Sequence, residues 1–386
     1  MYPSNSINSV IYSSSAGFDP QMPMAKEALT GIFTNDDRFV SPGVQYLDDG
    51  VVRLTMDAGK EASRVEVMVD KELFPLEKSD NGLWHVDLKT DHKGFRPIRF
   101  FVDGAKALNP LMPVGFGSAA MMNVLEIPDE SFFWMRDVPH GAVTENYYYS
   151  GVTGNYKSCM VYTPPGYMRD TSGEYPVLYL QHGHGENERC WVYQGKCNFI
   201  MDNLLAEGLA VPCIIVMNSG MVQVGRNGER RIEPKCIEDL LLKDCIPFIE
   251  RTYRVKTDKF SRAMAGLSMG SMQTSFVTMK NPDMFGYAGV FSGFVSPLED
   301  ILPDGTHLSA LDDQVKFSAD YKVFFRACGT EDESVMIKFK SDSQMFADKG
   351  LSPEQCSSHI IKYYPGNHEW NVWRMCLRDF LQLIFR

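Results

Sequence analysis

Short runs in which apolar and polar residues alternate occupy the first third of the chain. They include Val51-Val-Arg-Leu-Thr-Met, Arg64-Val-Glu-Val-Met-Val, Trp84-His-Val-Asp-Leu and Ile98-Arg-Phe-Phe-Val. Asp48-Asp-Gly, Ser79-Asp-Asn-Gly and Asp103-Gly separate them as turns. A period of two at this spacing predicts an antiparallel, all-β sandwich. From about residue 146 the rhythm changes. The buried-strand pattern Pro176-Val-Leu-Tyr-Leu-Gln precedes a helical stretch from Asn198 to Glu207, and Cys213-Ile-Ile-Val-Met precedes another from Cys236 to Tyr253. Strands that alternate with helices predict an α/β unit with a mostly parallel sheet flanked by helices. The expected division is a polar tail over 1–20, a sandwich over 21–127, a linker over 128–145 and the α/β domain over 146–386.

Composition narrows the function classes. With 386 residues, 44% hydrophobic and 23% charged, the chain can bury two sizeable cores. A net charge of −11 repels phosphate backbones and anionic lipid, which argues against a nucleic-acid partner. No apolar run has the length of a membrane span. The Ser-rich start, Met1 to Ala16, lacks the basic and apolar regions of a signal peptide. Nine cysteines are scattered from Cys159 onward without a CxxC or His/Cys ligand spacing, so they read as buried thiols and not as a disulfide framework or a zinc site, with a single bridge, for instance in the Cys190/Cys197 region, as the alternative.

The strongest chemical signal is Gly266-Leu-Ser268-Met-Gly270, between the small apolar strand Ala263-Met-Ala and the helical run Met272 to Lys280. Strand, tight turn and helix form a nucleophile elbow, in which the glycines let the backbone turn and expose the Ser268 hydroxyl. A serine nucleophile needs a base, and the base an orienting acid. His307, His359 and His368 follow Ser268. His359 opens a strand and reads as structural, and His307 precedes the acid's strand. His368 lies in the loop Pro365-Gly-Asn-His-Glu-Trp before the last helix and fits the base. The strand Tyr321 to Cys328 ends in Gly329-Thr-Glu-Asp-Glu, where three adjacent carboxylates, Glu331, Asp332 and Glu333, are candidates for the acid. An oxyanion would be held by the backbone N–H of Met269 and by a second N–H from His182-Gly-His184-Gly-Glu-Asn. This chemistry calls for no metal and no organic cofactor.

These residues, with Trp191, Asn198-Phe-Ile-Met-Asp-Asn-Leu, Pro247-Phe-Ile-Glu-Arg-Thr-Tyr-Arg-Val and Gly366-Asn-His-Glu-Trp-Asn-Val-Trp-Arg, resemble carbohydrate esterase family 1, which contains feruloyl and acetyl xylan esterases. The likeness covers 140–386. It implies the α/β-hydrolase fold, Asp332 as the acid, His184 N–H as the second oxyanion donor, and hydrolysis of feruloyl esters of plant arabinoxylan through an acyl-serine. It also implies a secreted or periplasmic location. Acetylated xylan is the alternative substrate, and a catalytically silent carbohydrate-binding protein is the alternative from another class. Trp191 and Trp370 are candidates for walls of the acyl pocket, and the acidic loop 294–313 for a cover. Asn367 and Ser271 depart from the commoner residues of the family. Gly82-Leu-Trp84, Phe100-Phe-Val-Asp-Gly and Leu108-Asn-Pro110 make the first domain resemble an immunoglobulin-like carbohydrate-binding module of family 48. The glycan-stacking aromatics of its starch-binding members are not found.

Overall fold

The computed structural model describes residues 43–47, 50–90, 93–127, 133–225, 231–295, 311 and 314–386. The expected tail over 1–20, the start of the linker at 128–132, His307 and most of the loop 294–313 lie outside the described residues. The chain divides into two compact units between Met135 and Arg136.

In the first unit the alternating runs form two antiparallel sheets. One has the order Val44–Tyr46, Val51–Met56, Trp84–Lys89, Glu77–Lys78. The other runs Glu72–Pro75, Val65–Val69, Gly94–Val102, Ala120–Ile127, Val114–Gly117, with Ala105–Ala107 paired to Gly94–Val102. Alternate residues from both sheets, among them Leu54, Val67, Trp84, Ile98 and Phe100, share one hydrophobic core. Period-two patterning has this outcome when each sheet has one face covered.

The second unit is built on one eight-stranded sheet. Its strands are β1 (Ala142–Ser150), β2 (Asn155–Thr163), β3 (Val177–Gln181), β4 (Ile214–Asn218), β5 (Arg262–Leu267), β6 (Tyr287–Phe291), β7 (Val323–Gly329) and β8 (His359–Tyr364). They lie in the order β1-β2-β4-β3-β5-β6-β7-β8. Every residue of β3 to β7 is buried, so these strands read as continuous apolar runs and not as alternations. Four helices matter for the site: α1 (Cys197–Ala206), α2 (Met269–Lys280), α3 (Glu333–Asp348) and α4 (Trp370–Leu381).

The sheet corrects one expectation. It is mixed, because β2 runs antiparallel to both β1 and β4, whereas the pairings from β4 through β8 are parallel. The reason is local: only residues 151–154 join β1 to β2, far too few for a parallel crossover. β1 itself starts inside the expected linker. Its burial is nearly all partial or absent, so it lacks the apolar run that announces a strand. The expected helix from Cys236 to Tyr253 also differs. It is α-helical over Ile237–Asp239 and Ile246–Thr252, with a π-helical turn, Leu240–Cys245, between. Pro247, in the first turn of the last segment, has no N–H to return to the preceding turn, which favours the looser register there.

Candidate active site

β3 is flanked by β4 on one side and β5 on the other, so the loops leaving β3 and β5 diverge at a switch point of the sheet. Crevices open at the carboxyl edge of strands in such places. Gln181 and Gly266 are register partners at the ends of these two strands. The chain segments that follow, His182 to Asn187 and Ser268 to Gly270, therefore start side by side.

Ser268 stands between β5 and α2 with φ 51° and ψ −117°, a conformation non-glycine residues rarely adopt. Two close approaches explain the flanking glycines. A Cβ on Gly266 would lie 2.5 Å from the Gly270 carbonyl, and one on Gly270 would lie 2.5 Å from the His182 carbonyl. The turn is held by the Ser268 N–H, which donates to Phe291 O (2.9 Å), and by the Ser271 hydroxyl, which donates to Ser268 O (2.5 Å). Ser271 thereby has a task of its own, and it needs Gly293, whose added Cβ would fall 1.6 Å from Ser271 Oγ. Met269 begins α2, in the first turn whose N–H groups have no helical carbonyl to meet.

The His368 Nδ1 lies 2.7 Å from Asp332 Oδ2. Asp332 follows β7 and is fully buried, while Glu331 and Glu333 on either side are exposed. Its other oxygen accepts from Ser334 Oγ (2.6 Å). Burial works against ionisation of Asp332, but the hydrogen bonds from His368 and Ser334 outweigh it and hold its pKa below the usual carboxylate value. With Nδ1 committed to a carboxylate, the free Nε2 of a neutral His368 is the basic nitrogen. The loops carrying the two residues are pinned together. Thr330 N–H donates to Tyr364 O, and Glu331 N–H to Gly366 O, at 2.8 and 2.9 Å. A Cβ on Gly329 would meet Gly366 O at 2.4 Å.

His184 sits on a turn that Glu186 N–H closes onto Gly183 O (3.3 Å), with Gly185 at φ 74°. The peptide N–H of His184 takes no part in that closure, and its side chain is exposed. Gly183 packs beside the elbow: a Cβ there would lie 3.5 Å from Ser268 Cβ and 2.7 Å from Leu267 Cδ1.

Two residues that hold this loop have no role in the sequence reading. Glu186 accepts from Gly183 N–H (2.8 Å) and from Trp370 Nε1 (3.1 Å), 184 positions away in the chain. Desolvation raises its pKa to about 7, against the two hydrogen bonds. His182 is buried with both ring nitrogens used: Nδ1 faces Gly183 O at 2.8 Å, and Nε2 accepts from Gly220 N–H at 3.0 Å. Burial lowers its pKa to about 4, so it is neutral. Trp191 and Trp370 are 1% and 4% exposed and meet edge to face at 5.1 Å. Trp191 Nε1 donates to Gln181 O (2.8 Å). Trp191 thus holds the end of β3, and Trp370 holds the loop through Glu186. His359 is buried among Phe317, Phe324 and Phe346, with Nδ1 2.6 Å from Leu351 O. All nine cysteines are free, and no helix among the described residues is long and apolar enough to cross a membrane.

Residues 150–383 match the family described as putative esterase. The chain is 34% identical over 322 residues to an endo-1,4-beta-xylanase/feruloyl esterase of Xylanibacter ruminicola, a match that covers 81% of this chain and 41% of that protein. The chain therefore spans about two fifths of the length of this relative. Among solved structures, a ferulic acid esterase of Anaeromyces mucronatus in complex with ferulic acid superposes with a TM-score of 0.54 at 23% identity, over 67% of this chain and 96% of that one. An enterobactin esterase of Shigella flexneri reaches a TM-score of 0.59 at 15% identity, over 88% of this chain and 94% of that one. These two likenesses are likenesses of fold.

Proposed function

Because the chain belongs to the esterase family, we propose that it is a carboxylic ester hydrolase that cleaves hydroxycinnamoyl, chiefly feruloyl, esters of plant cell-wall arabinoxylan. The observation that carries the hydrolase chemistry is the pairing of His368 with the fully buried Asp332, on the same sheet edge as the Ser268 elbow. In this reading His368 Nε2 takes the Ser268 proton as Oγ attacks the ester carbonyl. The N–H groups of Met269 and His184 hold the oxyanion. His368 then gives the proton to the sugar oxygen as its bond to the carbonyl carbon breaks, the sugar leaves as the free hydroxyl, and an acyl-serine remains. Water, activated by the same imidazole, releases the acid and restores Ser268. Asp332 fixes the tautomer and stabilises the imidazolium throughout.

The acyl group is argued from the Xylanibacter relative, whose name includes feruloyl esterase activity. Such a substrate is extracellular plant polymer, and the protein acts outside the cytoplasm on this reading. The likeness of the first unit to a carbohydrate-binding module belongs to the same proposal. Initial rates on methyl ferulate, methyl p-coumarate, acetylated xylan and a short-chain nitrophenyl ester, measured side by side, test it. Hydroxycinnamates should show the highest kcat/KM. Faster cleavage of acetylated xylan would replace the acyl assignment, and no turnover of any ester would leave a binding protein.

A further inference from the structure

The pairing of β2 with β4 ends at the register Cys159↔Asn218, although β2 begins at Asn155. Its overhanging residues border instead the loop that follows β4. A groove of about 200 Å³ lies there, lined by Tyr148, Tyr156, Ser158, Glu188, Ser219 and Gln223 among others. It adjoins the candidate site through named contacts. Asn218 Oδ1 accepts from Gln181 Nε2 (2.8 Å), Gln181 leads directly into the loop that carries His184, and Glu188 follows that loop.

The surface beside the groove is aromatic without a core to fill. Tyr147, Tyr149 and Tyr156 are 66%, 50% and 78% exposed. Strand alternation puts Tyr147 and Tyr149 on one face of β1. Tyr156 stands opposite Tyr149 in register, with ring centroids 5.4 Å apart, and Ser158 stands opposite Tyr147. Ser158 Oγ donates to Glu188 Oε1 at 2.6 Å. From the other face of β1, Tyr148 also borders the groove, with its ring packed on Phe248. Lys157 and Glu188 bring one charge of each sign, each engaged by a protein partner, Gln223 O and Ser158 Oγ, so the lining carries no net charge to attract an ion.

Rings that present flat apolar faces, next to hydroxyl, amide and carboxylate groups, suit a ligand with C–H faces and many hydroxyls. We propose that this groove and the Tyr147/Tyr149/Tyr156 face bind the sugar chain of the ester substrate, a neutral pentose polymer, while its acyl group lies at Ser268. The identity of the sugar rests on the arabinoxylan reading above; the groove and its chemistry do not.

The test uses the full chain with Ser268→Ala, titrated calorimetrically with unesterified arabinoxylo-oligosaccharide. Adding Tyr149→Ala and Tyr156→Ala should weaken binding at least tenfold, while Tyr149→Phe with Tyr156→Phe should keep it within threefold. With Ser268 restored, the Ala pair should raise KM for a feruloylated oligosaccharide about tenfold and leave kcat/KM for methyl ferulate within twofold. Undiminished affinity in the Ala pair overturns the proposal, as does no binding to the parent. It is also overturned if the pair converts a dimer to a monomer with affinity unchanged, because the face is then a contact between copies. Absence of turnover on methyl ferulate sinks the esterase reading alone, since the titration still decides the groove.

Discussion

At Asp332 the two carboxylate oxygens have separate tasks, one toward His368 and one toward Ser334. Asp332→Asn keeps the shape but puts an amide where the ring N–H must be accepted. It favours the wrong tautomer and should lower kcat by roughly four orders of magnitude, the scale known for such acids. Glu331→Gln and Glu333→Gln change exposed side chains and should each cost less than about tenfold in the same assay. An equal loss in either would move the acid from Asp332. Ser268→Ala should lower kcat by about five to six orders of magnitude without altering the circular dichroism spectrum, and retention of a tenth of the rate would remove Ser268 as nucleophile. These residues are legible in sequence because each lies in a short motif whose residue types are set by backbone geometry. The strand–turn–helix frame around Ser268 is the plainest instance. Three neighbouring carboxylates could not be ranked on local pattern, because what separates Asp332 from Glu331 is burial, a property of the folded sheet. The role of Glu186 was illegible for a related reason: its partner Trp370 is remote in the chain.

The loop from His182 to Asn187 is one element held from three directions: Glu186 from Trp370, His182 from Gly220, and Gly183 packed against the elbow. Its acidity has a testable sign. Glu186 has a folded-state pKa near 7, above the ordinary value of about 4.3 for the unfolded chain. Its contribution to stability is full below the unfolded value and is lost as pH rises through 7. Glu186→Gln carries no charge at any pH, so the stability advantage of the wild type over the variant should shrink by on the order of 2 kcal/mol between pH 5 and pH 8. Urea unfolding at the two pH values measures this, and a pH-independent difference would mean that Glu186 is not held protonated by burial. Among elements, the buried strands β3, β4, β5 and β7 were legible from hydrophobic runs, while β6, five residues with Gly289 at their centre, carried too short a run to be read. β1 was not, since an edge strand facing solvent on most positions has no such run. The direction of β2 relative to β1 is written only in the length of the connection between them.

At the scale of the whole molecule, each unit has its own hydrophobic core. In the first, Leu54, Val67, Ile98 and Phe100 close two sheets on each other. In the second, Tyr179, Val216, Met264 and Val277 form one cluster, and Val290, Phe317, Phe324 and Phe346 another. Ser268, Asp332, His368 and the loop around His184 all belong to the second unit, and the esterase family match from 150 to 383 contains every one of them. A domain with its own core can fold alone. Residues 128–386 expressed without the first unit should therefore fold cooperatively and hydrolyse methyl ferulate with kcat/KM within about threefold of the full chain. The same two proteins compared on feruloylated arabinoxylan isolate what the first unit adds. If it binds glycan, the ratio of polymer to methyl ester activity falls in the fragment, and it stays constant if the unit has no part in substrate capture. A folded fragment that is inactive even on methyl ferulate would show that the first unit supplies part of the active site itself, and the separation of chemistry from the sandwich would have to be given up.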